Sequence, residues 1–266
     1  MQINSKEAKT VANIIPGADP FYFPSDGKVA CLLVHGFTST PYDVRACGKY
    51  LADRGIAAQG VLVAGHGTTP EDLSKTNADD WLSSIKKSYY DLKKKHPIVF
   101  ALGISLGGNF LTILSNELDF AGFIFVGMPL KFRHEKSYRV LYYTFRALGI
   151  HYQKKWYQKS LDPQIRRQRP NYRSIPLSTG PEVLKAINLS RNFLPSVNKP
   201  VLAIQSTTDH AVDKKAISEL IEKVSTNDVE VFWVKDRYHV VLIDHGKEEV
   251  FEKIYSFISG RTEKNI

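Results

Sequence analysis

The sequence predicts an α/β fold with a mostly parallel sheet and helices on both of its faces. Short apolar runs such as VACLLV (29–34), IVFALGI (98–104) and PVLAIQST (200–207) are typical of strands that are buried on both faces. Amphipathic stretches alternate with these runs, which indicates repeated strand–helix–strand units. Right-handed crossovers between such units distribute the helices over both faces of the sheet.

The first half of the chain follows this alternation closely. After the strand VACLLV, Thr40 is expected to cap a helix that has Pro41 in its first position and Asp43 three residues after the cap. Gly55 is expected to end that helix. The following elements are predicted as a strand and glycine-rich loop at 60–67, a helix at 78–95, a strand at 98–104, a helix at 106–118 and a strand at 120–128.

The alternation is interrupted after residue 128. Residues 129–195 contain helix-like pieces near 134–148 and 181–194 but no convincing buried strand. The pattern then resumes with a strand at 200–207, a helix at 214–224, a strand at 229–234 and a helix at about 245–259. We therefore predict a single domain over residues 1–266, with a small helical cap inserted at about 129–195 over one edge of the sheet.

Positive charge is concentrated in the inserted segment. The net charge is +9, and residues 131–173 hold twelve Lys or Arg but only two acids, interleaved with seven Tyr or Trp. We interpret this segment as a solvated helical insertion whose aromatic side chains face its own core. Contact with an anionic lipid surface stays open. Nucleic-acid binding is not predicted, because no nucleic-acid motif accompanies the charge.

Several features bear on the cellular compartment. The N-terminal MQINSKEAKT is polar and lacks the apolar core of a signal peptide, and no apolar run reaches the length of a bilayer span. Cys31 and Cys47 form neither a disulfide framework nor a zinc pattern. We expect a cytoplasmic protein; the oligomeric state is left open.

A serine between two glycines marks the candidate active site. Gly103-Ile104-Ser105-Leu106-Gly107 fits the G-x-S-x-G pattern and falls between a predicted strand and a predicted helix. That context defines a nucleophile elbow, in which a sharp turn projects the hydroxyl from the sheet and glycines avoid crowding. The sequence therefore predicts Ser105 as a nucleophile.

Such a serine requires a base and an acid that orients the base, and both are available after later strands. Asp209 comes just after the predicted strand 200–207, and His239 follows the strand 229–234. Because the carboxyl ends of parallel strands meet at one edge of the sheet, Ser105, Asp209 and His239 are expected to converge. The rivals Asp213, Asp236, His210 and His245 are expected to be capping, loop or solvent-facing residues.

Attack on a carbonyl also requires donors for the developing oxyanion. The backbone N–H of Leu106 and that of Phe37, in the loop His35-Gly36-Phe37-Thr38, are predicted to supply them. His35 is interpreted as a structural histidine. His66 is interpreted as a loop residue at the pocket rim, since no other metal ligand has suitable spacing. No metal site and no cofactor are predicted; the candidate substrate-binding residues are Met128, Val212 and Val240.

These segments resemble one enzyme group. LLVHGFTSTPYDVR, GHGTTPEDL, DDW (79–81) and GISLGG, with the Asp209 and His239 segments, are similar to the bacterial carboxylesterase and monoacylglycerol lipase group of the α/β-hydrolase superfamily. The resemblance runs from about residue 20 to 259 and is thinnest across 131–175. It implies the triad Ser105, Asp209 and His239, the oxyanion hole Phe37 and Leu106, and a cap over the acyl pocket.

The resemblance implies a serine carboxylesterase acting on small ester substrates of short to medium chain length, with monoacylglycerols as candidates. A hydroxycinnamoyl (feruloyl-type) esterase, an acyl-thioesterase and a non-catalytic ligand-binding protein of the same fold are the alternatives. Two departures affect the substrate most. The group often has a small residue and then Gly before the catalytic histidine, where this chain has Arg237 and Tyr238, and the basic aromatic cap is unusual.

Overall fold

The computed structural model describes residues 13–131, 135–155, 163–235 and 238–262. Asp236 and, within the basic segment, Arg133, Trp156, Tyr157, Lys159 and Asp162 lie outside the described residues. Two sheets are present in the described part of the chain. The strands are β1 (Phe21–Phe23), β2 (Val29–Val34), β3 (Ala57–Val61), β4 (Ile98–Ile104), β5 (Gly122–Val126), β6 (Tyr152–Lys154), β7 (Ser174–Pro176), β8 (Val201–Ser206) and β9 (Val229–Val234).

The main sheet confirms the predicted class. Its strand order is β1-β3-β2-β4-β5-β8-β9, and all neighbouring pairs except β1 with β3 are parallel. The short antiparallel edge strand β1 and the small β6–β7 pair were not expected from the sequence. This order places β4, β5, β8 and β9 side by side, so the loops after these four strands share one edge of the sheet.

Helices lie on both faces of the main sheet, as predicted. Their bounds are α1 (Tyr42–Ala52), α2 (Pro70–Ser74), α3 (Ala78–Lys93), α4 (Leu106–Leu114), α5 (Glu135–Ala147), α6 (Pro163–Gln168), α7 (Gly180–Phe193), α8 (Lys215–Lys223) and α9 (Lys247–Thr262). Capping chemistry explains the start of α3: Asn77 accepts hydrogen bonds from the amides of Asp79 and Asp80, and the Asp80 carboxylate accepts one from the Asn77 amide.

The core divides into two layers because side chains alternate along each strand. In β2, Leu32 and Val34 pack into the layer beneath α3 and α4, whereas Cys31 and Leu33 pack into the layer beneath α1 and α9. Both layers are large and consist mainly of aliphatic and aromatic side chains. The sheet edge that carries the candidate site is therefore supported from both sides.

The segment between β5 and β8 holds α5, β6, α6, β7 and α7. Helix α7 packs against α4, and its Val183, Ala186 and Ile187 belong to the core layer beneath α4. By contrast, β6 is largely exposed. The single-domain organisation and the cap bounds of about 129–195 stay predictions.

The start of α1 differs from the sequence prediction. Thr40 does not cap the helix: its hydroxyl donates to the carbonyl oxygen of Pro170 at 3.0 Å, and Pro41 takes the N-cap position. Asp43 pairs with Arg169 instead of serving the helix terminus. A contact 126 residues away in sequence has thus replaced a local one.

Candidate active site

Ser105 lies on a strained turn between β4 and α4. Its φ is 51° and its ψ is −124°, a conformation that L residues rarely adopt. An added Cβ at Gly103 would lie 2.5 Å from the Gly108 amide nitrogen, and one at Gly107 would lie 2.4 Å from the Val34 carbonyl oxygen. Both glycines are therefore required by close backbone approach, as the motif predicted.

Asp209 and His239 are in direct contact at the ends of β8 and β9. The Nδ1 atom of His239 lies 2.8 Å from Oδ2 of Asp209. Asp209 also accepts hydrogen bonds from the Gln205 side chain at 2.9 Å and from the amides of Ala211 and Val212 at 2.8 and 3.0 Å. Four hydrogen bonds therefore fix the carboxylate, and one of them joins it to Nδ1 of the imidazole.

This arrangement sets the protonation states of the pair. Burial acts to raise the pKa of Asp209, but the hydrogen bonds from His239 and the two amides outweigh burial and hold the pKa below its ordinary value. An ionised carboxylate only accepts hydrogen bonds, so Nδ1 of His239 carries the proton. Its Nε2 atom is then left as the basic nitrogen.

Gly127 leaves space for the ring of His239 at the end of β5. It follows β5 with a φ of +57°, and an added Cβ would lie 3.1 Å from Cε1 and Nδ1 of His239. The Ser105 amide donates to the carbonyl oxygen of Val126, the residue directly before Gly127. The turn of Ser105 and the ring of His239 are therefore both packed at the end of β5. Among the described residues, no hydrogen bond joins Ser105 to His239.

The two proposed oxyanion donors flank Ser105. An added Cβ at Gly36 would lie 3.1 Å from the Cβ of Ser105, so the loop after β2 runs directly beside the serine. Leu106 is the first residue of α4. In the described part of the chain, neither the Phe37 nor the Leu106 amide has a recorded acceptor. Both amides therefore have hydrogen-bonding capacity to spare, and their role as oxyanion donors stays a prediction.

The two histidines near this loop are buried and neutral. His35 places Nδ1 2.9 Å from the Gly36 carbonyl oxygen, and its Nε2 accepts from the Val63 amide, which confirms a structural role. His66 is 2% exposed, so it lies beneath the surface instead of at a pocket rim. Burial lowers the pKa of His35 to about 4 and that of His66 to about 3. No cluster of three metal-ligating side chains occurs in the described ranges.

The candidate substrate-binding residues lie around the site without sharing one surface. Met128 packs beneath Gly108, where an added Cβ would be 3.0 Å from its Cγ. The Val212 amide belongs to the Asp209 anchor, and Val240 packs with Ile243, Tyr42 and Ile165. Their substrate-binding role stays a prediction.

The rivals for the catalytic positions have other contacts. Asp213 accepts from the Lys215 amide at the start of α8, which is the predicted capping role. His210 is exposed with its ring near that of Tyr238, and His245 is exposed ahead of α9.

The sequence did not reveal how the inserted segment holds the loops of the site. Arg169 forms a buried ion pair with Asp43 on α1. The Tyr172 hydroxyl donates to the Gly65 carbonyl oxygen at 2.8 Å and accepts from the Thr68 amide at 3.0 Å. Lys155 donates to the Thr38 hydroxyl. The only local signal was the excess of basic and aromatic residues in this segment.

The inserted segment also lines most of an open cavity of about 450 Å³. Its lining includes Tyr142, Arg146, His151, Tyr152 and Leu177, but none of Ser105, Asp209 and His239. Across the described residues, no helix combines the length and the apolar character that a membrane span requires.

The fold and this serine-containing sheet edge define an α/β hydrolase. The chain belongs to the Hydrolase_4 family, described as serine aminopeptidase, S33, whose model matches residues 25–246.

Individual relatives agree with this assignment. The chain is 29% identical over 240 residues to a carboxylesterase of Bacillus subtilis, covering 90% of this chain and 95% of the relative. It is 25% identical over 251 residues to a thermostable monoacylglycerol lipase of Bacillus sp. strain H-257, covering 92% and 96%. A solved structure from the metagenome-derived lipolytic enzymes LipS and LipT superposes with a TM-score of 0.86 at 24% identity, covering 93% of this chain and all of that one.

Proposed function

We propose that this chain is a serine carboxylesterase that hydrolyses short- to medium-chain carboxylic esters, with monoacylglycerols as candidate substrates. The observation that carries the proposal is the 2.8 Å contact between Asp209 and His239 beside the strained turn of Ser105. The carboxylesterase and the monoacylglycerol lipase among the relatives support the choice of an ester bond.

The reaction follows from the positions of these groups. The Ser105 Oγ forms a bond with the ester carbonyl carbon while its proton passes to Nε2 of His239. The Phe37 and Leu106 amides hold the oxyanion, and Asp209 stabilises the charged imidazole. The bond to the alcohol oxygen then breaks, and His239 returns the proton to that oxygen. Water repeats both steps on the acyl-enzyme and releases the acid.

The histidine must approach the serine for the first proton transfer. Hydrogen bonds between catalytic groups are often long before substrate binds and tighten in the complex. Gly127 leaves space for such an adjustment, because it carries no side chain at the point where an added Cβ would lie 3.1 Å from the ring of His239. None of these steps calls on a metal ion or an organic cofactor.

The decisive experiment compares wild type with Ser105→Ala. We expect wild type to hydrolyse nitrophenyl esters and to be labelled by a fluorophosphonate probe, and Ser105→Ala to lose both, with kcat reduced by roughly 10³-fold or more. Ser115→Ala is a matched control, since Ser115 lies at the other end of α4. Full ester hydrolysis by Ser105→Ala would contradict the assignment of the nucleophile.

A substrate panel tests the ester class. Nitrophenyl esters of graded chain length, monoacylglycerols, feruloyl esters, acyl-thioesters and aminoacyl nitroanilides form its arms. The aromatic residues of the inserted segment favour a feruloyl ester as the second candidate, since aromatic rings stack on one another. Absence of turnover in every arm, together with absence of fluorophosphonate labelling, would indicate a ligand-binding protein.

We also propose that the inserted segment makes a peripheral contact with anionic lipid. Helix α5 exposes Val140 (68%) and Tyr143 (63%), and Leu148 follows it at 68% exposure. Arg146 lies on the same helix, is exposed and carries positive charge. Exposed apolar side chains beside basic ones are suited to the interface of an anionic membrane.

Vesicle cosedimentation tests this contact. We expect binding to vesicles of phosphatidylglycerol and phosphatidylcholine at low salt, and weaker binding at high salt because surface charges are screened. Leu148→Glu should weaken binding, whereas Ile221→Glu, at an exposed apolar position on α8, should not. Failure to bind at low salt would contradict the proposal.

We also propose that the protein is located in the cytoplasm. Cys31 and Cys47 are buried and unpaired, and burial raises the pKa of both thiols. Such reduced thiols are suited to a reducing compartment.

A further inference from the structure

Lys155 reaches from the inserted segment into the loop after β2. Its Nζ donates to the Thr38 hydroxyl oxygen at 2.8 Å. The Thr38 hydroxyl in turn donates to the carbonyl oxygen of Phe37 at 2.7 Å. A chain of two hydrogen bonds therefore connects the ammonium to Phe37, whose amide is one of the two proposed oxyanion donors.

The loop needs an external restraint at this point. Thr38 has a φ of 56°, and a β-branched residue in the left-handed region is strained. Two further contacts of the loop also come from the inserted segment: the Tyr172 amide donates to the Thr38 carbonyl oxygen, and the Thr40 hydroxyl donates to that of Pro170. The conformation of the loop is therefore held from outside the main sheet.

The backbone of Lys155 is itself fixed. Its amide donates to the Arg173 carbonyl oxygen at 2.9 Å, which extends the antiparallel pairing of β6 and β7 by one residue. The neighbouring Lys154 lies in β6 and is exposed. Of two adjacent lysines, one reaches the loop and the other faces solvent.

We propose that Lys155 is a positioning residue of the esterase reaction: through the Thr38 hydroxyl it fixes the Phe37–Thr38 segment, so that the Phe37 amide stays aimed at the oxyanion. This inference rests on the proposed function. Lys155 does not touch the reacting atoms in this role. It acts on the transition state, in which the oxyanion is present, more than on substrate binding.

The surroundings of Lys155 make its charge sensitive to pH. Burial and the nearby Arg169 guanidinium lower the pKa of Lys155 to about 7, against the raising effect of Asp43 on α1. His66, in the loop after β3, also interacts with Lys155. As pH rises through about 7, the ammonium loses its proton and its charge-assisted hydrogen bond to Thr38 weakens.

The test compares steady-state kinetics of Lys155→Met and Lys154→Met. We expect Lys155→Met to lower kcat by about 10- to 100-fold with KM within about 3-fold, which is less than the loss on deleting an oxyanion donor outright. Lys154→Met should match wild type. The kcat–pH profile of wild type should fall above neutral pH, and Lys155→Arg, which stays charged, should retain activity without that fall.

Thr38→Val is an independent test, because it removes the hydroxyl that Lys155 contacts and leaves the lysine unchanged. It should reproduce the loss in kcat, Thr38→Ser should restore activity, and Lys155→Met with Thr38→Val should lose little more than either single variant. An unchanged kcat, a loss confined to KM, or multiplicative losses in the double variant would each overturn the inference. If wild type cleaves no ester, the proposed function has failed; if wild type and Lys154→Met are active and Lys155→Met equals them, only the role of Lys155 has failed.

Discussion

At the scale of single residues, the end of β5 decides whether His239 can reach the site. Gly127 combines a positive φ with an added-Cβ distance of 3.1 Å to the imidazole. A side chain there would be strained by the backbone and would also displace the ring from Asp209 or from the serine. The two effects are separable by experiment.

Gly127→Ala is expected to lower both stability and activity. The left-handed conformation costs about 1–2 kcal/mol for an L residue. Displacement of His239 should reduce kcat by about 10- to 100-fold, because small misplacements of catalytic groups have large effects on rate. Urea unfolding and ester hydrolysis measure the two quantities.

Gly55→Ala is the matched control. Gly55 has a φ of +88°, and an added Cβ would meet nothing within 4 Å. It should therefore lose similar stability and keep wild-type kcat. Equal kcat values for Gly127→Ala and Gly55→Ala would show that Gly127 does not position His239.

The sequence predicts a site residue where a chemical motif lies at a recognisable end of a strand or helix. Ser105 could be predicted because its motif lies at a strand–helix junction, and Asp209 and His239 because each follows a later strand. Gly127 could not be recognised, since neither its φ nor its distance to His239 is encoded in a local pattern. The same holds for Lys155, which acts across 117 residues.

At the scale of elements, the buried pair of Arg169 and Asp43 connects the inserted segment to α1. The Arg169 guanidinium contacts both carboxylate oxygens of Asp43, and the Ser39 hydroxyl donates to the same carboxylate. The local sequence predicted Thr40 as the helix cap with Asp43 three residues after it, because Thr is a favoured N-cap residue. The ion pair with Arg169 forms in place of the local cap, because a buried guanidinium binds a carboxylate through two strong hydrogen bonds.

Arg169→Met is expected to destabilise the protein strongly. Removing one partner of a buried ion pair leaves an uncompensated charge and costs about 3–5 kcal/mol. Arg167→Met, at an exposed position on α6, should stay within about 0.5 kcal/mol of wild type in urea unfolding. The double variant Arg169→Met with Asp43→Leu should recover part of the loss, and no recovery would argue against the charge as its cause.

At the scale of the whole molecule, the sheet could be predicted because strands that are buried on both faces appear as continuous apolar runs, and the helices because they alternate with those runs. Strand β4 matches its predicted bounds, Ile98–Ile104. The edge strand β1 is three residues long and gives no such signal. The β6–β7 pair was missed for a related reason, because three-residue strands that are exposed or only partly buried lack the apolar runs that mark buried ones.

Two buried histidines make the stability of the whole molecule depend on pH. His35 and His66 stay neutral in the folded protein, where burial lowers the pKa of each to about 4 and about 3. The unfolded chain takes up protons near the ordinary histidine pKa of about 6.5. The stabilising effect of the neutral forms is therefore complete above about pH 6.5 and is lost as the pH falls towards the folded values.

Urea unfolding at pH 7.5 and pH 5 should reveal this loss. Each buried histidine should contribute about 2 kcal/mol of destabilisation between these conditions, at about 1.4 kcal/mol per pH unit below the unfolded pKa. His66→Phe removes one titrating group and keeps an aromatic ring among Phe37, Trp81 and Tyr172, so its loss on acidification should be smaller by that amount. His151→Gln, which replaces an exposed imidazole, should follow wild type. If His66→Phe loses as much stability as wild type, His66 is not buried in its neutral form, and the packing of that ring against Phe37 in the oxyanion loop would need another explanation.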